Sequence, residues 1–142
     1  FFYFIFFSED HLTKTQAMRG SPYFKPFEKE VLGWESQLLR IEECIRVWQE
    51  VQKKWLYMES MFGVEEIVRP LQAESNLFKD VDKTWKGIMS SISKDPRVLV
   101  SAGEQGMLEQ LKSSLEIIGV IDQGVNQFVE EKKTSFPRFV IV

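Results

Sequence analysis

Metal ligands are what this sequence has least of: in 142 residues there is one cysteine, Cys44, and one histidine, His11. A structural zinc site takes four such ligands, so the chain cannot build one alone. A lone cysteine also rules out a disulfide framework, which leaves a reducing compartment compatible with the composition. A dominant charge is missing too. Lys and Arg number 18 against 21 acids, for a formal net charge of -3. No basic stripe runs along the chain, so nothing marks a nucleic-acid footprint. The pairs Lys53-Lys54 and Lys132-Lys133 read as solvated helix faces.

Long hydrophobic runs are also absent. The opening Phe1-Phe2-Tyr3-Phe4-Ile5-Phe6-Phe7 falls well short of the roughly 20 apolar residues that span a bilayer. It has neither the basic start nor the cleavage site of a signal peptide. No membrane partner is expected. The run reads as the cut edge of a longer chain, or as a buried strand.

Catalytic signatures fail as well. Gly119 and Gly124 have the separation of a phosphate loop, but Val125 and Asn126 follow where Lys and Ser/Thr are required. No Gly-x-Ser-x-Gly elbow occurs. Cys44 lies beside an apolar helical stripe, where a small buried thiol is the default. Asp80 and Asp82 are two apart on a helix and do not face each other. Glu65 and Glu66 stand near a helix start, where the dipole favours acids. No catalytic, cofactor-binding or metal-binding residues are assigned.

What is present is aromatic and periodic. Hydrophobic residues make up 44% of the chain, with 12 Phe and 4 Trp, enough to build a core with large aromatic content. Residues 1–25 read as an N-terminal connector, polar from 8 to 26, with Gly20-Ser21-Pro22 as a turn. Pro26 suits the first position of a helix. From there Phe27, Val31, Trp34, Leu38, Ile41, Ile45, Trp48 and Trp55 fall in steps of four and three, skipping once at Gln52. That spacing makes one stripe of a helix over 26–58. Glu42 with Arg46, and Glu50 with Lys54, are spaced to pair on its exposed face.

Gly63 interrupts the pattern, and residues 64–69 form a short helical piece stopped by Pro70. A second long helix is expected over 73–93, with Leu77, Phe78, Val81, Trp85, Ile88, Met89 and Ile92 as its stripe and Asp82–Lys86 paired opposite. Asp95-Pro96 ends it. A third is expected over 104–133, with Met107, Leu108, Leu111, Leu115, Ile118, Ile121, Val125, Phe128 and Val129 inward. Residues 136–142 read as a possible short strand. The fold class is therefore all-α: an elongated bundle of three long helices with short connectors. Its core candidates are Phe27, Val31, Trp34, Leu38, Ile41, Ile45, Trp48, Trp55, Phe78, Trp85, Leu111, Leu115 and Phe128. Gly63, Pro70, Pro96, Gly119 and Gly124 are hinge candidates.

Several separated motifs resemble one family. Thr15-Gln16-Ala17-Met18-Arg19-Gly20-Ser21-Pro22, then Lys25-Pro26-Phe27-Glu28, look like the beginning of the linker of axonemal dynein heavy chains. Trp48-Gln49-Glu50-Val51-Gln52-Lys53-Lys54-Trp55-Leu56-Tyr57-Met58-Glu59 is similar to that family's W-x-x-V-Q-x-x-W-x-Y-L-E signature. Phe62, Glu66-Ile67, Phe78, Val81-Asp82, Trp85 and Ile88-Met89 follow in family order. Glu130, Lys132-Lys133 and Phe136-Pro137-Arg138-Phe139 resemble its closing motif. Departures occur at Met58, Ser60-Met61, Leu71-Gln72, Gly119-Val120 and Val140-Ile141-Val142.

The resemblance implies that residues 26–142 form part of the dynein linker helical domain. Such a linker arches over a ring of AAA+ modules and is not catalytic itself. It couples ATP-driven changes in the ring to microtubule-based movement in cilia or flagella. ATP and Mg would bind in the downstream ring, with no cofactor in this segment. The implied partners are the chain's own AAA+ ring, the rest of the linker, and other dynein subunits and microtubules through the parent chain. The implied location is the cytoplasm and cytoskeleton, in the axoneme of a cilium or flagellum. A different reading of the same stripe is a coiled-coil interaction module, with Trp34 to Trp55 as its seam.

Overall fold

The computed structural model describes the backbone of residues 2–97 and 105–135, and side chains of residues 6–97 and 106–135. Five helices account for it: α1 (Phe2–Ala17), α2 (Glu28–Met61), the single turn α3 (Glu65–Val68), α4 (Gln72–Lys94) and α5 (Gln105–Ser135). No strand occurs among the described residues. The strand expected over 136–142 lies outside them.

Helix α2 has 34 residues, about 51 Å at the usual helical rise. It is entered through one 3-10 turn, Lys25–Phe27, with Pro26 in its first positions. Proline tolerates that place because its missing N–H would have no helical partner. At the other end Phe62 N–H donates to Met58 O at 2.8 Å and closes the helix.

Cross-helix contacts set the directions. Trp55 on α2 meets Asp82 and Trp85 on α4, and Phe62 meets Phe78, so α4 runs antiparallel to α2. Lys112 of α5 reaches Glu43, and Asp122 reaches Lys54, so α5 runs parallel to α2. The three long helices therefore go up, down and up, each turning back on the one before it, with α5 packed against both of the others.

The core is an apolar seam shared by these three rods. Leu111, Ile118 and Ile121 of α5, and Val51 and Met58 of α2, are 0% exposed. Val81, Trp85 and Ile88 face them from α4, also buried. In α5 Met107, Leu111, Ser114, Ile118, Ile121 and Val125 are buried in steps of four and three that keep one face turned inward, with Leu108 buried beside them. Ser114 holds the place between Leu111 and Ile118, and Leu115 is half-buried on the flank. In α2, the apparent skip at Gln52 is filled by its neighbour Val51. A straight helix drifts relative to a strict seven-residue repeat, and a one-residue shift of the seam corrects that drift.

The first part of the chain differs from the connector reading. Residues Phe2 to Ala17 are helical, so the aromatic run from Phe2 to Phe7 is helix and not the buried strand expected. Periodicity gives no sign of this: among the described side chains of α1 the buried ones are small and polar, Ser8 and Thr15. It is held locally by the Asp10–Lys14 pair at 2.7 Å and by Thr13 and Thr15 hydroxyls donating to carbonyls four residues back. Tertiary docking on α2 does the rest, as it commonly does where propensity is weak. The expected turn follows. Phe24 N–H donates to Ser21 O at 3.2 Å, and Tyr23 N–H to Ser21 Oγ at 3.3 Å.

Two measurements follow. Trp85→Ala should lower stability by about 3–5 kcal/mol, as for other buried aromatic truncations, while Trp34→Ala, near the edge of the fold, should cost less than about 1 kcal/mol. Urea titration followed by circular dichroism separates the two. A Cβ added at Gly119 meets nothing within 4 Å, so Gly119→Ala should raise stability by about 1 kcal/mol through helix propensity alone.

Candidate functional site

The aromatic cluster at the middle of the bundle is the most tightly specified place. Trp85 stands between Trp48, at a ring separation of 6.5 Å with an edge-on angle of 71°, and Trp55, at 5.9 Å. Edge and tilted contacts suit the ring quadrupoles better than a face-to-face sandwich. Trp55 also donates Nε1–H to Asp82 Oδ1 at 3.0 Å, and Lys86 Nζ donates to Asp82 Oδ2 at 2.8 Å. One carboxylate thus fixes the indole of α2 and pairs within α4, in the i,i+4 geometry read from the sequence. Phe62 and Phe78 stack at 5.3 Å and close the lower end.

Ion pairs pin the rods lengthwise. Lys54 turns toward Asp122 of α5 at 2.9 Å, where the sequence suggested Glu50. Glu42 does pair with Arg46, at 2.8 Å, and Arg46 also reaches Glu9 of α1 at 3.0 Å. The inner end of α1 is held on Glu35, a buried carboxylate of α2 that accepts hydrogen bonds from Arg19 and Gln16. Helix α1 is therefore fastened by charge and hydrogen bonds, whereas α2, α4 and α5 are joined by apolar area.

The remaining core candidates divide by position along α2. Leu38, Ile41 and Ile45 are buried, and Val31, Trp48 and Trp55 are half-buried. Phe27 and Trp34 are not core residues: they are 55% and 39% exposed. Their spacing is right, but α5 approaches α2 beside Ser36, Leu39 and Glu43, and the second turn of α2 is met through Glu35 by Gln16 and Arg19. In the third rod Leu111 is fully buried, while Leu115 and Phe128 are half-buried. Periodicity passed over Cys44, Val51 and Met58 as main seam positions, although all three are at 0% exposure. Cys44 and Val51 sit one residue off the heptad stripe, on the side where a second helix packs, and counting one stripe alone misses them.

The hinge candidates separate in the same way. Gly63 lies in the turn between α2 and α3, Pro70 between α3 and α4, and Pro96 just past α4, where Arg97 folds back on Asp95 with bonds of 2.7 and 2.8 Å. Gly119 and Gly124 lie inside α5, which continues through both without a break. The carboxylate and Cγ of Glu74 from α4 occupy the space over Gly124 where a side chain would begin. Gly124 thus leaves room for the Glu74 side chain where α4 meets α5.

No group of three or more His, Cys, Asp or Glu residues converges among the described residues. No described helix is long and apolar enough to cross a membrane. Burial raises the Cys44 thiol above its ordinary value and nearby Glu43 raises it further, which keeps the sulfur protonated and poorly nucleophilic near neutrality. Of the seam from Trp34 to Trp55 that a coiled-coil partner would need, the part from Ile41 to Trp55 packs into the core shared with α4 and α5.

The comparisons with known proteins point the same way as the motifs. The family model for dynein heavy chain, N-terminal region 2, matches residues 6–142. The chain is 44% identical over 131 residues to dynein axonemal heavy chain 12 of Rattus norvegicus, covering 92% of this chain and 4% of that protein. It is 40% identical over 131 residues to dynein axonemal heavy chain 3 of Homo sapiens, covering 92% of this chain and 3% of the relative. With the dynein-1-alpha heavy chain of the flagellar inner arm I1 complex of Chlamydomonas reinhardtii it shares 38% identity over 135 residues, 94% of this chain and 3% of the other. It thus spans only a few hundredths of the length of these relatives. A match along nearly the whole chain shows that this chain belongs to the dynein heavy chain family, in its N-terminal region 2.

Proposed function

We propose that this chain is a mechanical, non-catalytic segment of the linker of an axonemal dynein heavy chain. It couples ATP-driven changes in a downstream AAA+ ring to microtubule-based movement in a cilium or flagellum. In that reading ATP and Mg are held in the ring. The direct partners of this segment are the ring and the rest of the linker, and its contact with microtubules and other dynein subunits is indirect, through the parent chain.

The observation that carries the proposal is the continuous apolar seam between three rods, with fully buried residues from Val51 and Met58 on α2 to Leu111, Ile118 and Ile121 on α5. Close-packed interiors have low compressibility and transmit strain. A load placed on one rod therefore reaches the others with little loss. Cross-rod pins such as Lys54–Asp122 and Lys112–Glu43 resist sliding, though exposed pairs contribute only about 0.2–1 kcal/mol each. Bending of a linker needs only a few hinge residues between rigid parts. The turns holding Gly63, Pro70 and Pro96 suit that role better than Gly119 and Gly124, which sit inside an unbroken helix.

The test is uncoupling. In the whole heavy chain, Val51→Ala with Ile118→Ala should loosen the rods, by a few kcal/mol for two core truncations. Microtubule gliding velocity should fall several-fold while ATP turnover stays near its original rate. Gliding unchanged in a protein whose core is measurably loosened would sink the mechanical reading. Separately, the 142-residue chain should bind no ATP by isothermal titration. Saturable binding that Gly119→Ala or Gly124→Ala abolishes would show a nucleotide site in α5 and refute the non-catalytic part.

A further inference from the structure

The outward face of α4 carries one sign of charge. Lys79, Lys83, Lys86 and Lys94 are all exposed. On a helix they share one line with Ser90, opposite the buried Phe78, Val81, Trp85 and Ile88. The line is about 22 Å long at the usual helical rise. The acids of α4 stand off it. Glu74 lies over Gly124, Asp82 is engaged by Trp55 and Lys86, and Asp80 stands to one side. Lys79, Lys83 and Lys94 make no ion pair among the described residues. Like charges three and four apart weaken a helix, and no described acid pairs with Lys79 or Lys83 to offset their repulsion. A groove opens beside the same line, between Lys83, Thr84, Gly87 and Ser91 of α4 and Gly106 and Gln110 of α5. Gly87 keeps it open. Glycine in mid-helix is less favourable than alanine, yet a Cβ at Gly87 would meet nothing within 4 Å. Packing among the described residues gives no reason for glycine there, whereas a ligand lying in the groove does.

We propose that this face binds an acidic helix of a separate polypeptide, with carboxylates spaced to meet Lys79, Lys83 and Lys94 and an uncharged flank lying over Gly87. Charge selects the occupant. The chain as a whole is negative, at -3, so an acidic partner is repelled elsewhere and drawn to this line. Lys79 and Lys83 are one helical turn apart and Lys94 about three turns further on, a ladder that another helix matches at its own rise. Asp80 at the groove's edge turns carboxylates away from that side, while Thr84, Ser91 and Gln110 line it without charge. The kind of surface argues for a separate molecule. The permanent joints of this fold, between α2, α4 and α5, are apolar, and obligate interfaces are generally the more hydrophobic ones. Lysines beside a polar groove suit a partner that binds and leaves. The line holds no arginine and no aromatic ring, the groups on which single-stranded nucleic acid stacks. This direct contact lies outside the mechanical role proposed above, so either can fail alone.

The probe is a synthetic helical peptide with glutamates at that spacing, added to the intact heavy chain and fixed by a carbodiimide, which joins carboxylates only to amines in direct contact. Mass spectrometry should place the cross-links at Lys79, Lys83 and Lys94, several-fold above those at the exposed Lys29 and Lys53, and raised salt should abolish them. Lys79→Ala with Lys83→Ala should cut the cross-links at Lys94 several-fold, whereas Lys29→Ala with Lys53→Ala should leave them unchanged. Gly87→Ala should also cut them several-fold while α4 exchanges its amide hydrogens no faster, which separates a filled groove from a damaged helix. Cross-links spread evenly over exposed lysines would overturn the proposal. So would equal labelling by a peptide of the same composition with its glutamates clustered, since charge alone would then account for binding. Stronger shielding of Lys83 by single-stranded RNA or by phosphatidylserine vesicles than by the peptide would overturn it too, by assigning the face to a phosphate-bearing partner.

Discussion

The structure depends on the close contact of α5 with α2 and α4 at once. Leu111, Ile118 and Ile121 sit where the three rods converge and leave no surface to water. Each large buried aliphatic side chain contributes about 1.5–3 kcal/mol through removal of apolar surface. That contribution is non-directional, so direction must come from elsewhere. Small residues provide it by choosing where the rods come closest. Ser75 and Ser114 are buried in α4 and α5, and Gly124 lies under Glu74. The tryptophans then fill the wider spaces between α2 and α4, which is why a residue as large as Trp85 can be only 4% exposed.

Much of this architecture is legible in the amino-acid pattern. Steps of four and three locate α2, α4 and α5 to within three residues at each end, because apolar side chains recurring at that spacing over many turns fit one face of a helix and cannot fit a strand. Breakers give the turns at Gly20-Ser21-Pro22, Gly63, Pro70 and Asp95-Pro96. What periodicity does not give is the amount of cover. Phe27 and Trp34 satisfy the pattern as well as Ile41 does, and differ only in whether another helix is present to face them. Helix α1 escapes for the opposite reason, since a helix docked through Thr15, Arg19 and Glu35 leaves no apolar rhythm to find. The family itself is legible from motifs, several of which coincide with packing residues: Trp48, Val51, Trp55 and Trp85.

The two kinds of attachment in one small fold have different sensitivities. The three-rod core weakens with anything that solvates apolar groups. The exposed Arg46–Glu9 pair that helps hold the α1 arm is the more open to weakening by salt, because buried charges such as Glu35 are screened much less than exposed ones. Because Glu35 is buried by the groups that bind it, loss of α1 would expose the carboxylate to water instead of stranding it.

An odd number of rods has a geometric consequence. With α2 and α5 parallel and α4 returning between their ends, the start of α2 and the finish of α5 lie at opposite ends of the bundle. A pull between those two points loads the seam in shear, so that all its contacts resist together. In a two-rod hairpin the same pull would enter and leave at one end and unzip the contacts in sequence. Three rods thus give this segment tensile strength along its axis from contacts that are individually weak.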